Sequence, residues 1–317
     1  MFNVQRHINT RLTVASFLDA WILHIQKSRQ HKTYELYEAL IRNHIVPHIG
    51  RRRVAHLEPR QIRGFLDFLS DKVGQRTRQL VYRVLRSAFA EAVEDGLLVR
   101  NPCARRDKPR YVPRPHKTLD QREAQALLNA AKSTDYYALF FLALVTGMRQ
   151  GEIFGLCWDA VDFEAAAIYV RGTLTRGSSG EVHLSPPKGA RQRRVDVGPQ
   201  LLGLLERQRK RQLSALWVFT DGNGEPLAKD RFVRTVFHPL LRAAGLPRIR
   251  FHDLRHTCAT LGLSSGVNVK VMSERLGHSS AKMTLDVYTK ALPTLQRQAA
   301  ATMEAIVGRV KRNARVS

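Results

Sequence analysis

The sequence has few cysteines, no long apolar segment and few acidic residues for its basic content. Its cysteines, Cys103, Cys157 and Cys258, are odd in number, lie far apart and form no CxxC pair. This argues against a disulfide scaffold and a cysteine zinc site, and it suits a reducing cytoplasm. The longest apolar run, ALFFLALV at residues 138–145, is far shorter than the roughly 20 residues that span a bilayer. It predicts a buried helix, and no membrane partner is expected.

Signals for export and for repeats are also missing. The first residues, MFNVQRHINTRLTV, contain no apolar core of a signal peptide, so export is not expected. No internal repeat and no low-complexity segment is found. Hydrophobic residues make up 44% of the 317 residues, which is enough for packed cores. The length predicts about two domains.

Positive charge is what the sequence has in excess. It contains 52 Lys and Arg against 27 Asp and Glu, a formal net charge of +25 at pH 7, and both halves share the excess. Such a body attracts a polyanion along its whole length, and neutralising phosphates with release of counterions is the usual reason for this balance. Charge alone leaves open a basic protein that has no nucleic-acid partner.

The first third of the chain predicts a helical domain. Apolar spacings indicate helices over residues 13–25, 34–45, 58–69 and 75–94, with the second ending near Pro47. Residues 101–117, NPCARRDKPRYVPRPHK, are rich in proline and basic side chains, and they predict an extended basic linker and not a packed element. We place the domain boundary there.

The second part predicts further helices around a small sheet. Short β-branched runs at 167–170, 172–175, 182–184 and 194–197 are separated by Gly, Ser and Pro turns, which indicates one small antiparallel sheet with hairpins. The predicted fold class is mainly α with a small antiparallel β-sheet (α+β). The expected helices here cover residues 120–131, 135–145, 200–213, 229–244, 254–263, 270–276, 284–290 and 293–309.

Paired residues three positions apart carry the chemistry of this second part. His252 and Arg255 in FHDLRHT point the same way on a helical turn. Arg149 and Glu152 in TGMRQGE follow a buried helix with the same spacing, so that the carboxylate can fix the guanidinium. Lys188 lies in a Pro-Pro-Lys-Gly turn of the predicted sheet, a good place for a mobile, projecting cation.

Phosphodiester cleavage is the chemistry that uses these residue types together. Two arginines clamp the non-bridging oxygens of a phosphate in a bidentate way that lysine cannot reproduce. A histidine donates to those oxygens or handles a proton near neutral pH, and a tyrosine hydroxyl attacks to form a covalent phosphotyrosine. No acidic cluster with metal-ligand spacing appears near these residues, so a two-metal nuclease is disfavoured. The twelve histidines show no HExxH-like pairing, which argues against a zinc site. We expect neither a metal nor a cofactor.

Five segments resemble, in order and separation, the motifs of the tyrosine recombinase (phage integrase) family. They are TGMRQGEI, PPKGARQRR, FHDLRHT, LGHSS and TLDVYTK. Upstream, IVPHIG, AVEDG and an Asn-Pro pair at 101–102 are similar to that family's core-binding domain, so the resemblance covers about residues 12–300. It implies an N-terminal helical SAM-like core-binding domain and a C-terminal tyrosine-recombinase catalytic domain.

The resemblance also implies a role for each motif residue. Arg149 and Arg255 would bind the scissile phosphate, and Glu152 would support Arg149 from behind. Lys188 would be the general acid for the leaving 5′-oxygen. His252 would assist proton transfer at the tyrosine.

The last two motif residues complete the implied active site. His278 would hydrogen-bond the phosphate, and Tyr288 would be the nucleophile that takes the DNA 3′-phosphate. No motif position departs from the family pattern. His238 and His256 are interpreted as structural histidines.

The resemblance divides the chain into five segments. They are a short N-terminal segment 1–11, the core-binding domain 12–100, the linker 101–117, the catalytic domain 118–292, and a C-terminal helix and basic tail 293–317. The last helix would pack either on a neighbouring protomer or on its own domain. Further candidates for DNA contacts lie in a basic loop, on one helix face and beside the Lys188 turn. In that order they are Arg51, Arg52 and Arg53; Arg76, Arg83 and Arg86; and Arg191, Arg193 and Arg194.

The function that the resemblance implies is site-specific DNA recombination. The enzyme would cleave and rejoin double-stranded DNA through a 3′-phosphotyrosine intermediate and a Holliday junction, integrating or excising a phage or mobile element. Four protomers would act on two core sites, and the free protein would be a monomer or dimer. The reaction would take place in the bacterial cytoplasm at the nucleoid, with accessory DNA-bending or directionality factors. A two-domain recombinase that resolves chromosome dimers, a type IB topoisomerase and a catalytically idle DNA-binding protein are the alternatives.

Overall fold

The computed structural model consists of two compact units, Met1–Arg114 and Pro115–Ser317. It describes residues 11–28, 31–112, 116–176, 181–185, 192–212, 216–277, 296–297 and 299–307. The predicted fold class is confirmed, because the elements are mostly helices accompanied by small antiparallel sheets. Among the described residues, none of the helices combines the length and the apolar character that crossing a bilayer requires.

The first unit is built from helices, followed by irregular backbone after residue 94. Its α-helices are α1 (Val14–Ser28), α2 (His31–Leu40), α3 (Val46–Ile49), α4 (Pro59–Ser70) and α5 (Gln75–Glu94). One apolar core joins them, with Leu18, Ile45, Ile62 and Phe89 almost fully buried. The periodicity in the sequence predicts these elements because each helix turns one apolar stripe toward that core.

The second predicted helix runs past Pro47 and does not end before it. A π-helical turn, Ile41–Ile45, joins α2 to α3, and Pro47 lies in the first turn of α3. A proline has no N–H and its ring collides with the carbonyl four residues back, so a widened turn ahead of it keeps the helix continuous. The same arrangement recurs in the second unit, where the π-helical turn Val233–Phe237 precedes Pro239.

The first residues of the predicted linker are packed and not extended. Cys103 is fully buried in the core of the first unit. The side chains of Arg86 and Tyr82 on α5 donate to the carbonyls of Cys103 and Ala104, at 2.6 and 3.0 Å. Composition misleads here because proline and arginine mark an irregular backbone without excluding hydrogen bonds that hold it to a helix.

The second unit places helices around two small sheets. The helices are α6 (Gln121–Ala131), α7 (Tyr137–Thr146), α8 (Gln150–Phe154), α9 (Pro199–Arg211), α10 (Lys229–Phe232), α11 (His238–Ala243), α12 (Asp253–Ser264) and α13 (Val269–Leu276). The strands are β1 (Val161–Asp162), β2 (Ala167–Val170), β3 (Thr173–Arg176), β4 (Val182–Ser185) and β5 (Arg193–Asp196).

The prediction of a single sheet is wrong. The strands β1, β2 and β5 form one antiparallel sheet in that order, and β3 pairs with β4 in a separate hairpin. In the three-stranded sheet Val161 lies opposite Ile168, and Ile168 lies opposite Val195. The two-residue strand β1 is too short to give an alternating pattern, which is why the sequence does not reveal it.

An aromatic cluster forms the centre of the second unit. Phe140 on α7, Phe154 at the end of α8 and Phe232 on α10 meet Phe251, which directly precedes α12. The rings of Phe154 and Phe251 lie 5.8 Å apart at 65°. This contact holds the start of α12 beside α8, and those two elements carry the paired residues that the sequence singles out.

The predicted helix at residues 284–290 lies outside the described residues. Of the predicted C-terminal helix, residues 296–297 and 299–307 are helical. Met303, Ile306 and Val307 on it are exposed. Whether this helix packs on its own domain or on a neighbour stays a prediction.

Candidate active site

Two helices of the second unit end at glycines whose carbonyls hold arginines. Gly147 closes α7 and Gly277 closes α13, both with positive φ, +63° and +66°. The Gly147 carbonyl accepts a hydrogen bond from Arg255 Nη1 at 2.8 Å, and the Gly277 carbonyl accepts one from Arg149 Nη2 at 2.9 Å. A helix C-terminus carries partial negative charge, so its free carbonyls are good partners for guanidinium groups.

Glu152 fixes Arg149 as its spacing predicts. The carboxylate, in the first turn of α8, accepts a hydrogen bond from Arg149 Nη1 at 2.8 Å and from the Arg149 backbone N–H at 2.7 Å. Glu152 is 1% exposed. Burial by itself would raise the pKa of this carboxyl, but the hydrogen bonds and charges of Arg193 and Arg149 outweigh it and lower the pKa.

Arg255 is buried with part of its guanidinium unused. It lies in the first turn of α12 and is 3% exposed. Among the residues that the structure describes, its Nη2 atom has no hydrogen-bond partner. Burial and the charge of Arg149 lower the pKa of Arg255 to about 9, which still leaves the group charged at neutral pH. A buried cationic donor without a partner is costly, so this atom indicates an anion site.

His252 lies at the start of α12, one turn before Arg255. Desolvation of the ring by the surrounding protein, followed by the positive charge of Arg255, lowers the pKa of His252 to about 4. The imidazole is therefore neutral at pH 7 and able to accept a proton. Arg149 also contributes to this shift, which shows that the three side chains share one electrostatic neighbourhood.

Three neighbouring side chains offer ligand atoms that a metal could use. Atoms of His116, Asp253 and His256 all lie within 4.8 Å of one another. However, both oxygens of Asp253 accept hydrogen bonds from Arg250, and the ring of His116 stacks on that of His256 at 4.0 Å. The cluster therefore consists of an Arg250–Asp253 ion pair beside two stacked imidazole rings.

The described part of the site contains four of the predicted residues together: Arg149, Glu152, His252 and Arg255. Lys188, His278, Tyr288 and Arg191 lie outside the described residues. A site of this kind, with two guanidiniums and a neutral imidazole around an anion position, suits chemistry on a phosphate.

The sequence of the second unit identifies the family. Residues 117–294 match the Phage integrase family, and residues 13–70 match its N-terminal SAM-like domain. The chain belongs to the phage integrase family. The predicted resemblance is thereby confirmed, and the chain is a tyrosine-type site-specific DNA recombinase.

Relatives and solved structures agree with this assignment of the integrase. A tyrosine recombinase XerC-like protein of Caldanaerobacter subterraneus is 26% identical, covering 92% of this chain and 83% of the relative. Among solved structures, the Tn1549 transposon integrase in complex with a circular intermediate DNA has a TM-score of 0.80 at 22% identity, covering 87% and 95% of the two chains. A lambda integrase tetramer bound to a Holliday junction has a TM-score of 0.69 at 23% identity, covering 88% and 78%. At these identities the structures show that the fold is shared.

The basic residues predicted to contact DNA fall into two groups in this integrase. Arg51, Arg52, Arg53, Arg76, Arg83 and Arg194 are exposed. Arg86 and Arg193 are half-buried and hydrogen-bonded within the protein, Arg86 to the Cys103 carbonyl and Arg193 to Glu152.

Sequence reasoning missed the contacts that connect distant parts of the integrase site. Arg193 is separated from Glu152 by 41 positions and Arg149 from Gly277 by 128, so no local spacing reveals either pair. Arg250 and Asp253 are different, because they form an ion pair at a spacing of three that inspection of the sequence could have found.

Proposed function

We propose that Arg149 and Arg255 of this recombinase bind the scissile phosphate of DNA. The observation that carries the proposal is the buried Nη2 atom of Arg255, which has no partner among the described residues and lies in the electrostatic neighbourhood of Arg149 and His252. A phosphate placed there would receive two charge-assisted donors, which stabilise the charge that develops as the phosphorus is attacked.

The remaining roles follow from the family pattern. Tyr288 attacks the phosphorus, and His252, neutral at pH 7, accepts the phenolic proton. Lys188 donates a proton to the leaving 5′-oxygen, and His278 hydrogen-bonds a non-bridging oxygen. Glu152 keeps Arg149 aligned.

The reaction is a pair of transesterifications. The Tyr288 oxygen forms a bond to phosphorus while the bond to the 5′-oxygen breaks, leaving a 3′-phosphotyrosine and a free 5′-hydroxyl. A 5′-hydroxyl from the partner duplex then attacks phosphorus and releases the tyrosine, which produces a Holliday junction after one pair of strands has exchanged. Because each step trades one phosphodiester for another, no nucleotide cofactor is needed to supply energy.

We place this activity in the integration or excision of a phage or mobile element. The family itself and the likeness to transposon and lambda integrases support this role. The protein would act on host DNA in the bacterial cytoplasm, and DNA-bending or directionality factors would select the direction of the reaction.

The partner of this enzyme is double-stranded DNA carrying core sites, with four protomers on two sites. The exposed arginines of the first unit, Arg51, Arg52, Arg53, Arg76 and Arg83, would contact the backbone, and Arg194 and Arg191 would do so beside the chemistry. The core-binding domain would span residues 12–100 and the catalytic domain 118–292. The exposed apolar side chains Met303 and Ile306 are available to a neighbouring protomer.

Covalent trapping tests the proposed function. The protein and its Tyr288→Phe variant are incubated, without added metal, with nicked duplexes built on the DNA sequence that the protein selects from a random pool. A nick beside the scissile phosphate lets the short leaving strand diffuse away, so that the covalent complex accumulates. We expect a slower-migrating protein–DNA species on a denaturing gel with the wild type and none with the variant.

Three outcomes would contradict the proposal. An adduct that persists in Tyr288→Phe would show that another residue is the nucleophile. Tight binding without any adduct on the selected sequence would favour a DNA-binding protein without cleavage activity. Relaxation of supercoils without exchange between two matched sites would instead identify a topoisomerase.

A further inference from the structure

Arg193 at the start of β5 donates from all three nitrogens of its guanidinium to other protein groups. Its Nη1 and Nη2 atoms donate to the two oxygens of Glu152 at 2.9 and 2.7 Å, and its Nε donates to the carbonyl of Arg275 at 3.0 Å. The side chain is 10% exposed. This is a bidentate fork with a third contact from Nε, an arrangement that only arginine provides.

Glu152 is therefore shared between two arginines. Its Oε1 atom accepts hydrogen bonds from Arg193 Nη1 and Arg149 Nη1. Its Oε2 atom accepts hydrogen bonds from Arg193 Nη2 and from the backbone N–H of Arg149. A fully buried carboxylate is stable only when it is paired and its lone pairs are used. Removing Arg193 leaves half of these acceptor positions empty, so that Glu152 and, with it, the guanidinium of Arg149 lose their fixed orientation.

The second link from Arg193 reaches the end of α13. Its Nε holds the Arg275 carbonyl, and Arg149 Nη2 holds the Gly277 carbonyl two residues later. A side chain at Gly277 would collide with Arg193, because its Cβ would lie 2.8 Å from the Arg193 Cδ. Arg275 is anchored in turn, since its guanidinium donates to the Asp196 and Val145 carbonyls. Leu276 and Gly277 are the first two residues of the LGHSS motif, and His278 is the third.

We propose that Arg193 is a positioning residue of the cleavage reaction. Through Glu152 it sets the guanidinium of Arg149, and through the Arg275 carbonyl it sets the end of α13 from which His278 follows. Arg193 thereby couples the alignment of Arg149, in the α7–α8 turn, to the position of the C-terminal end of α13. The inference rests on the proposed function, because it assumes that Arg149 acts on the scissile phosphate.

The sequence suggests another role for Arg193, a direct contact with DNA. The two roles predict different losses. A DNA contact contributes to affinity, whereas a positioning residue contributes to the rate of cleavage once DNA is bound, since a displacement of about 1 Å in a reacting group can cost about 100-fold. A salt bridge that only stabilises the fold would lower the amount of active protein and leave the chemistry of the active fraction unchanged.

The test compares Arg193→Gln and Arg193→Lys with a matched control, Arg171→Gln. Arg171 forms an exposed ion pair with Asp159 in the same unit, 3.0 Å between Nη1 and Oδ2. For each variant we measure the thermal unfolding midpoint, the dissociation constant for the intact duplex of the same sequence, and the single-turnover rate of adduct formation on the nicked duplex. Rates are expressed per active molecule. Lysine keeps the positive charge opposite Glu152, so Arg193→Lys serves if Arg193→Gln does not fold.

We expect Arg193→Gln to form the adduct about 100-fold more slowly while its dissociation constant changes less than about threefold. Arg193→Lys should remain slow, because one ammonium cannot hold both Glu152 oxygens and the Arg275 carbonyl. The control should cleave at the wild-type rate. Wild-type rates in both Arg193 variants, or a loss confined to affinity, would overturn the inference.

A substrate with a modified phosphate gives a sharper readout. Replacing one non-bridging oxygen of the scissile phosphate by a methyl group removes the charge that Arg149 neutralises. If Arg193 acts through Arg149, the slowing caused by Arg193→Gln should shrink to less than about tenfold on this neutral substrate. An equal slowing on both substrates would show a merely structural role. A wild type that forms no adduct on either substrate would instead overturn the proposed function, and this inference with it.

Discussion

Arg193 and Arg194 are neighbours in one short strand, yet they occupy opposite environments. Successive side chains of a strand point to opposite faces, so Arg193 turns inward to Glu152 while Arg194 turns outward and pairs with Asp196 at 2.7 Å. The exposed pair adds little to stability, because water screens it. The buried pair is different, because breaking it leaves a carboxylate without compensation.

The folded protein strongly disfavours the charged form of the His256 ring, so its stability should depend on pH. Burial, followed by the nearby His116 and His252, lowers the pKa of His256 to about 3. Between pH 6.5 and pH 3 the unfolded chain therefore binds a proton that the folded chain does not, and stability falls as the pH falls through this window. We expect the Tm of His256→Asn to drop about 2–4 °C less than that of the wild type between pH 7 and pH 5.

Differential scanning calorimetry at the two pH values measures this difference. His256→Phe is the companion variant, since it also lacks a titrating group but keeps a ring that can stack on His116. Both variants should show the weaker pH dependence, whatever their Tm at pH 7. A drop as large as that of the wild type in both would show that another group controls the acid sensitivity.

At the scale of elements, the site depends on where helices stop. α7 and α13 both end at a left-handed glycine, and the freed carbonyls hold Arg255 and Arg149. The aromatic contact between Phe154 and Phe251 then brings the start of α12 beside α8. Helix ends therefore determine the arginine geometry, while the β-strands contribute Arg193.

Gly147 gives the prediction at this scale. An added Cβ would collide with Leu276 Cδ2 and would lie 3.1 Å from Cys258 Sγ, in addition to the strain of φ +63°. Gly245 is the matched control, since it has φ +67° but no atom within 4 Å of an added Cβ. We expect Gly245→Ala to cost about 1 kcal/mol of unfolding free energy and Gly147→Ala about 3 kcal/mol or more, with adduct formation also slowed. Urea unfolding of both variants measures the difference. Equal losses of unfolding free energy would show that Leu276 on α13 moves aside without a measurable cost.

In the whole molecule, the net charge contributes to the attraction of DNA and the fold contributes to the chemistry. Each unit has its own apolar core, and the net charge of +25 is carried largely on the surface. Attraction of this kind draws DNA to the protein regardless of its sequence, because it acts on phosphates and not on bases. The chemistry needs only a few of these charges, those that the fold has buried and oriented.

The salt dependence of DNA binding measures this contribution. If 6–10 phosphates are contacted, affinity should fall about 10³–10⁵-fold between 50 and 200 mM salt. Arg51→Gln should reduce the slope of log K against log salt by about 1, whereas Arg60→Gln, whose exposed side chain is paired with Glu58, serves as the control. Fluorescence anisotropy over a salt series gives both slopes. An unchanged slope in Arg51→Gln would remove that arginine from the DNA contacts.

Apolar periodicity and the ordered motifs are enough to predict the class of fold, the family and the residue types that act together. Apolar periodicity sufficed for helices such as α5, because a helix that packs on one core repeats its pattern locally. Glu152 was found as the partner of Arg149 for the same reason, since three positions along a helix are neighbours in space.

The contacts between distant segments become visible only when the elements are packed together. The pairing of Arg193 with Glu152, the glycine carbonyls that hold the two arginines, and the division of the strands into two sheets join residues far apart in the chain. The physical reason is that these contacts depend on how whole elements pack. A local pattern records which face of an element is apolar, but it carries no record of which other element that face will meet.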